Sequence, residues 1–483
     1  MNRSNKNNAK RFVTILCIAI VINFAFYYLP DKILGFPIKK VDLLSDIRRP
    51  SQNDETLFEG IADAERIESD NSWSNNPDYT FKDAEKESIT NETMPENEGI
   101  EVKICTHADY LTNKNIEDFT IEHDGLGRFF YALDNIDKLG RPVRIAFLGD
   151  SFIEGDILVA DFRAKMQTQF GGRGIGFIPI TSVIAQYRPT IKQSANGWKS
   201  YSIMKDKNRE YVLSGFQFES TSNDASFQFQ NVNMYPRLEE VSSLKFIYEK
   251  NQAADMVYKN GDKTFLFKLP PTEIVTQFEL VGQFMKGTLQ FNNSKGLKAI
   301  GVALEDNHGV IVDNFSLRGN SGTVLSRLDS NSCRNLQQIR PYDLIVLQYG
   351  LNVANESIKE YSWYSNRMIT VIEHIQQCFP GADILVLGVS DRSRNGKSTM
   401  PAVMSLLRAQ QQMAENAKVA FWSIFAAMGG QNSMVKYTNS NWASKDFTHL
   451  NFRGGREIAN ALYDALLNEK GFYDHSKLWD EKQ

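Results

Sequence analysis

Two hydrophobic patterns divide the chain, and each predicts a different kind of structure. Short, continuous apolar runs, among them VRIAFLG and YDLIVLQ, alternate with helix-like stretches near residues 157–170, 357–377, 399–415 and 453–469. Apolar runs without polar alternation are typical of parallel strands that are buried on both faces. We count five such runs, and together with the helices they predict an α/β domain with a five-stranded parallel sheet covered on both faces.

Between residues 195 and 304 the pattern changes to alternation of apolar and polar positions, as in ASFQFQNVNM and GTLQFNN, with Gly, Asn and Asp turns between the segments. This period of two is typical of antiparallel strands with one buried face. We therefore predict an inserted antiparallel β-sandwich over residues 195–304. It would divide the α/β domain into a first part, residues 106–194, and a second part, residues 305–475.

The N-terminal segment has a different composition from the rest. Residues 12–29 are apolar except for Asn23 and follow a basic stretch, which predicts an uncleaved transmembrane signal anchor with a cytoplasmic tail at residues 1–11. Residues 30–105 are rich in Asp, Glu, Asn and Ser, and such a segment buries too little apolar surface to fold. We interpret it as a disordered acidic spacer, and residues 476–483 as a short C-terminal tail.

Composition excludes several functions. The 483 residues include 42% hydrophobic residues, enough for substantial cores, and a net charge of −4 gives no basic field for nucleic acid. The four cysteines form no CxxC pair, so neither a disulfide framework nor a zinc site is expected. We predict no metal or cofactor.

Gly149-Asp150-Ser151 closes the apolar run VRIAFLG, where a buried strand would end and a helix would begin. Ligands of open α/β sheets bind beyond the carboxyl ends of the strands, and a helix N-terminus offers free N–H groups to a developing oxyanion. Ser151 is therefore a candidate nucleophile. The alternative is that the triplet only caps a helix.

A serine nucleophile needs a base, and His449 is the one histidine with an aspartate three residues before it, Asp446. On a loop this spacing lets Asp446 accept the Nδ1 proton while Nε2 faces the serine. We predict a triad of Ser151, His449 and Asp446. A capping or buried histidine is the alternative.

Two further strand ends carry candidate donors for an oxyanion hole, besides the N–H of Ser151. Asn352 follows the strand YDLIVLQ, and we prefer it to Asn432, which lies farther beyond its strand. Gly322 follows the strand GVIVDNFSL, and we prefer it to Gly319 because it directly precedes a helical stretch.

Serine, glycine, asparagine and Asp-x-x-His thus follow one another along the predicted strand ends. This order resembles the SGNH (GDSL-type) hydrolase superfamily, over about residues 125–195 and 305–475. The insert and the phrases FGGRGIGF and FAAMGG are most similar to peptidoglycan O-acetylesterases that carry a carbohydrate-module-like sandwich. The resemblance implies a flavodoxin-like sheet and ester hydrolysis through an acyl-serine, with an O-acetylated envelope glycan, peptidoglycan first, as substrate.

Three functions remain open at this stage. The expected one is an O-acetylesterase anchored in the bacterial inner membrane, with its catalytic domain on the periplasmic side. The same triad could instead transfer acetyl groups onto a glycan, received from a membrane O-acyltransferase partner. The third is a non-catalytic glycan-binding protein in which the sandwich binds sugar and the triad is vestigial.

Overall fold

The structure, a computed structural model, describes residues 32–33, 36–37, 111–251, 254–394 and 396–480. In the first compact unit, residues 1–56, these include only a two-residue antiparallel pair, Lys32–Ile33 (β1) with Phe36–Pro37 (β2). The predicted anchor at residues 12–29 and almost all of the predicted spacer lie outside the described residues. Within the described ranges, no helix has the length and apolar character that crossing a bilayer requires.

A six-stranded sheet forms the centre of the second unit. Its strands are Glu117–Asp118 (β3), Val143–Gly149 (β4), Val310–Ser316 (β16), Leu344–Gln348 (β17), Asp383–Gly388 (β18) and Ala420–Ser423 (β21). Ser393–Arg394 (β19) and Ser398–Thr399 (β20) form a separate antiparallel pair. In the order β16-β4-β17-β18-β21-β3, the first five strands are parallel and the short β3 pairs antiparallel with β21. The five predicted parallel strands are all present, and each is a continuous apolar run because both of its faces are buried.

Helices cover both faces of this sheet. They are Gly127–Asp134 (α1), Val159–Phe170 (α2), Ser330–Ile339 (α3), Ser362–Cys378 (α4), Pro401–Ala417 (α5), Ile424–Met428 (α6), Ser433–Asn439 (α7) and Phe452–Asp480 (α8). Alternate residues of β4 belong to two separate cores: Ile145 and Phe147 pack with α1, α2 and α8, whereas Ala146 and Leu148 pack with α3, α4 and α5. The prediction of an α/β domain with helices on both faces is confirmed.

The insert consists of two antiparallel sheets. Its strands are Gly176–Ile178 (β5), Ile191–Asn196 (β6), Trp198–Ser202 (β7), Phe216–Ser220 (β8), Asp224–Asn231 (β9), Val241–Glu249 (β10), Ala254–Asn260 (β11), Lys263–Leu269 (β12), Thr276–Phe284 (β13), Lys286–Asn292 (β14) and Lys298–Glu305 (β15). One sheet has the order β13-β10-β15-β8-β7, with β5 also paired to β15, and the other has the order β12-β11-β14-β9-β6. The strand pairing thus begins before residue 195, in the segment that follows α2.

Glycines join the insert closely to the α/β domain. In the loop before β5, a Cβ at Gly174 would lie 2.2 Å from the carbonyl oxygen of Leu304 in β15. A Cβ at Gly176, whose φ is +76°, would lie 2.1 Å from Oδ1 of Asp313 in β16. Only a residue without a side chain fits such contacts, so the glycine-rich sequence here serves backbone packing.

A buried ionic cluster also connects the insert to the parallel sheet. Glu305, at the end of β15, accepts hydrogen bonds from Arg144 of β4 at 2.7 Å, Lys245 of β10 at 2.8 Å and Arg340 after α3 at 2.6 Å. Arg340 also pairs with Asp313 at 2.7 Å. Burial alone would raise the pKa of Glu305, but the surrounding positive charges hold it well below its ordinary value.

Candidate active site

Ser151 lies where β4 ends, as the first residue of a 3₁₀ turn over Ser151–Asp156, and is 7% exposed. Asp150 precedes the turn as its N-cap, and its carboxylate accepts the N–H of Phe152 at 2.9 Å. The side-chain amide of Asn314 on β16 donates to the carbonyl oxygen of Ile153 and to Asp156, both at 2.8 Å. These bonds fix the turn, so the serine hydroxyl has a defined position at the carboxyl edge of the sheet.

His449 and Asp446 meet this serine in the arrangement that the sequence predicts. The distance from Ser151 Oγ to His449 Nε2 is 3.0 Å, and the distance from His449 Nδ1 to Asp446 Oδ2 is 2.6 Å. The backbone N–H groups of Thr448 and His449 and the hydroxyl of Ser444 also donate to Asp446. With Nδ1 protonated and bonded to the carboxylate, Nε2 is the ring nitrogen that can accept the serine proton.

Hydrogen bonding to the aspartate also sets its charge. Burial alone would raise the pKa of Asp446, but the hydrogen bonds and charge of His449, together with the Ser444 hydroxyl, lower it below its ordinary value. Asp446 is therefore ionised at neutral pH, as a residue that orients an imidazole must be.

The loop between the aspartate and the histidine has an unusual backbone. Phe447 has a φ of +56°, in the left-handed region that bulky side chains rarely adopt. Its carbonyl oxygen accepts the N–H of Ser393, and its ring lies where a Cβ at Gly396 would be, within 2.5 Å. The contacts with Ser393 and Gly396 hold this conformation in the loop that carries Asp446 and His449.

The predicted oxyanion donors Asn352 and Gly322 lie beside the triad, but the structure shows them bonded to other groups. Asn352, in a turn after β17, donates through Nδ2 to Asp150 Oδ2 and to the carbonyl oxygen of Asn320, both at 2.9 Å. The N–H of Gly322, whose φ is +94°, donates to Asn320 Oδ1 at 2.8 Å. An acyl oxygen would have to share or replace these acceptors, as catalytic hydrogen bonds often rearrange when substrate binds.

Asn320 is a residue of this site that the sequence analysis did not single out. Its side-chain oxygen accepts the N–H of Gly322, its backbone carbonyl oxygen accepts Nδ2 of Asn352, and the residue is fully buried. Its Nδ2 has no hydrogen-bond partner among the described residues. Its place between Gly319 and Gly322 was visible in the sequence, but the direction of its side chain was not.

Asp150 does more in the site than cap the turn that follows it. It is 2% exposed and accepts hydrogen bonds from both Phe152 and Asn352. Burial raises its pKa to about 6, and the Phe152 N–H and the charge of His449 only partly oppose this rise. The carboxylate therefore links the serine turn to the asparagine turn.

No cluster of three or more His, Cys, Asp or Glu side chains suited to a metal ion occurs in the ranges that the structure describes. The chemistry that these side chains offer is that of a serine, an imidazole and a carboxylate in series. Such a series activates a hydroxyl for attack on a carbonyl carbon.

Comparison with known proteins supports the fold. No family model matches the chain, and the search of curated proteins found no match. A solved structure of a peptidoglycan O-acetylesterase is similar at a TM-score of 0.61 and 20% identity, over 74% of this chain and 99% of that one. This similarity shows a shared fold, the one that the SGNH resemblance implies.

Two other solved structures are matched at lower TM-scores. A family two carbohydrate esterase from Cellvibrio japonicus has a TM-score of 0.24 and 11% identity, over 58% of this chain and 98% of its own. A carbohydrate esterase family 3 protein from Talaromyces cellulolyticus has a TM-score of 0.25 and 16% identity, over 33% of this chain and 72% of its own.

Proposed function

We propose that the protein is a serine esterase that removes O-acetyl groups from an envelope polysaccharide, with peptidoglycan as the first candidate. The observation that carries this proposal is the hydrogen-bonded series from Ser151 Oγ through the His449 ring to Asp446, with distances of 3.0 and 2.6 Å. The fold shared with a peptidoglycan O-acetylesterase supports the choice of substrate.

In the acylation step, His449 Nε2 takes the proton of Ser151 Oγ as the oxygen attacks the acetyl carbonyl carbon. The resulting oxyanion is held by the N–H of Ser151, with the Asn352 amide and the Gly322 N–H turning toward it from Asp150 and Asn320. The imidazolium then gives its proton to the sugar oxygen, and the ester C–O bond breaks. The deacetylated glycan leaves, and the acetyl group remains on Ser151.

In the deacylation step, His449 takes a proton from water, and the hydroxide attacks the acetyl-serine carbonyl. Collapse of this second tetrahedral intermediate returns the proton to Ser151 Oγ and releases acetate. Asp446 stays ionised throughout and stabilises the imidazolium that forms in each step.

The proposal includes a location. The apolar residues 12–29 would anchor the chain in the bacterial inner membrane, so that the enzyme faces periplasmic glycan. Protease treatment of spheroplasts that express the full chain should digest the folded part without prior lysis. Protection until the membrane is broken would contradict this orientation.

Acetate release tests the activity directly. The purified full chain should release acetate from O-acetylated peptidoglycan when no sugar acceptor is added, and the Ser151→Ala variant should not. Acetyl movement only after addition of acceptor glycan would indicate a transferase instead. Glycan binding with no turnover of any acetyl ester would indicate a binding protein.

A further inference from the structure

A cleft of about 510 Å³ lies between the insert and the edge of the parallel sheet. One wall contains Glu154 and Gly155 of the serine turn and residues 314–318 at the end of β16. The insert contributes Ser200 and Ser202 of β7 and Phe216 of β8 to the lining. The volume is within the range of roughly 300–1,000 Å³ that is usual for ligand sites.

The cleft adjoins the turn that carries Ser151. Ser316, one of the residues that line it, is paired in register with Gly149, two residues before the serine. The next residue, Leu317, donates its N–H to the carbonyl oxygen of Gly149 at 2.8 Å. Glu154 and Gly155, which line the cleft, belong to the same turn as Ser151, so the cleft begins within four residues of the serine along the chain.

The lining combines hydroxyl groups with apolar surface. The hydroxyl side chains are Thr181, Ser182, Ser200, Ser202, Ser214 and Ser316. Apolar surface comes from Phe177, Ile184, Phe216 and Leu317. Sugar rings present the same two kinds of surface, hydroxyls around the rim and C–H groups on the faces.

The charges in the cleft are compensated within the protein. Arg188 donates to Asp156 at 3.0 and 3.1 Å, and Arg318 pairs with Glu154. Lys205 and Asp206, also in the lining, carry opposite charges at adjacent positions. A strongly anionic or cationic ligand would gain little here, whereas an uncharged one would not disturb these pairs.

We propose that this cleft binds the uncharged sugar units of the glycan next to the acetylated unit at Ser151. The inference rests on the proposed esterase function and adds to it a subsite that the insert completes. A small acetyl ester fills only the site at Ser151, whereas a glycan fills the cleft as well. The cleft should therefore affect turnover of the glycan more than turnover of the small ester.

The test uses one bulky substitution in the cleft and a matched one outside it. Ser200→Trp places an indole in the cleft, and Ser194→Trp places the same group on β6, in the other sheet of the insert. Both serines are exposed. With the full chain, kcat/KM is measured for O-acetylated peptidoglycan fragments and for 4-nitrophenyl acetate, and the ratio of the two values is compared.

We expect Ser200→Trp to lower the glycan-to-aryl-ester ratio about tenfold, mainly through a higher KM for the glycan, and Ser194→Trp to leave it unchanged. An unchanged ratio in Ser200→Trp, or an equal fall in both variants, would overturn the inference. If the wild-type protein cleaves the aryl acetate but never the glycan, the proposed function itself fails.

A binding measurement separates the subsite from the chemistry. In full chain carrying Ser151→Ala, titration calorimetry with deacetylated glycan fragments should show binding that Ser200→Trp weakens about tenfold. Equal affinity with and without Ser200→Trp would contradict the inference, whatever the kinetics show.

Discussion

The side-chain amide of Asn352 donates a hydrogen bond to the carboxylate of Asp150, with 2.9 Å between Nδ2 and Oδ2. This bond joins the ends of two neighbouring parallel strands, β17 and β4, directly beside Ser151. The motif aspartate is thus part of the arrangement that positions a predicted oxyanion donor, while the histidine is oriented by Asp446. Two carboxylates in one small site therefore have separate tasks.

Ser151→Ala should lower kcat for 4-nitrophenyl acetate by about 10⁶-fold, because it removes the hydroxyl that lies 3.0 Å from His449 Nε2. A fluorophosphonate probe should label the wild-type protein at Ser151 and leave the variant unlabelled. Ser194→Ala, in the insert, serves as the control and should keep full labelling. Labelling of the Ser151→Ala protein would identify a different nucleophile.

Asp446→Asn should lower kcat about 10⁴-fold. The amide would favour the wrong imidazole tautomer, because it can present a donor to His449 Nδ1 where the carboxylate accepts at 2.6 Å. Ser444→Ala removes only one of the donors to Asp446 and should cost far less activity. Stopped assays of aryl acetate hydrolysis check both variants, and a similar loss in the two would show that Asp446 does not orient the base.

Asn320→Ala should lower kcat about 10²-fold with little change in KM for the aryl ester. The side chain is the acceptor for the N–H of Gly322, at 2.8 Å, so its loss lets a predicted oxyanion donor move. Asn320 acts through Gly322. If its role were only structural, the variant would be less stable but would not show a lower kcat at nearly constant KM. Thermal unfolding of the variant is the companion measurement, and unchanged kcat in a folded protein would refute the role.

The free energy of unfolding should depend on Asp150 between about pH 4 and pH 6. Its pKa is raised from 3.8 to about 6, so the native state holds a proton that the unfolded chain has lost in this interval. Asp150 therefore stabilises the fold most below pH 4, and this contribution decreases as the pH rises through 6. The difference is at most about 3 kcal/mol.

Urea unfolding of wild-type protein and Asp150→Asn across this pH range measures the effect. Comparing the two proteins separates Asp150 from other groups, such as Asp383, whose pKa burial raises to about 7. The wild-type curve should fall relative to the variant curve from pH 4 to pH 6. Parallel curves would show that Asp150 does not titrate in this interval.

Glu305→Gln should destabilise the fold by about 3–5 kcal/mol, since it leaves the buried charges of Arg144, Lys245 and Arg340 without a shared carboxylate. Glu356→Gln is the matched control, because Glu356 pairs with Arg394 at 3.0 Å at the surface and should contribute less than about 1 kcal/mol. Urea unfolding compares the two. An equally small effect for Glu305 would mean that water or a rearrangement replaces its charge.

The parallel sheet could be predicted from sequence because burial on both faces leaves a continuous apolar run. The insert was harder. The alternating segments that predict it are residues 211–220, 225–234, 244–250, 264–269, 287–293 and 297–305, and strands β6, β7 and β13 are not among them. All three lie at sheet edges, where solvent reaches the strand, and segments such as IKQSAN and WKSYS contain few apolar residues. The interior strand β11 was also missed. Val257 is buried on the face opposite Met256 and Tyr258, so apolar and polar residues do not alternate there.

The candidate site shows the same division. The Asp-x-x-His spacing predicted that Asp446 and His449 would share a hydrogen bond, because three residues on a loop limit where the two side chains can lie. The link between Asp150 and Asn352 spans residues that are distant in the chain and depends on the order of strands in the sheet. Local sequence carries no signal for such a contact, nor for the direction of the Asn320 amide.

The join between the insert and the parallel sheet determines how this protein can be dissected in the laboratory. Deleting the sandwich from the gene would remove Glu305, so Arg144 of β4 would lose the carboxylate that it pairs with, and Arg340 would keep only Asp313 of its two carboxylate partners. A shortened chain made in this way would not be a smaller version of the folded protein, because its interior would contain charged side chains that have lost partners. The insert interrupts the α/β domain in sequence, but in the folded protein it completes the buried core of that domain.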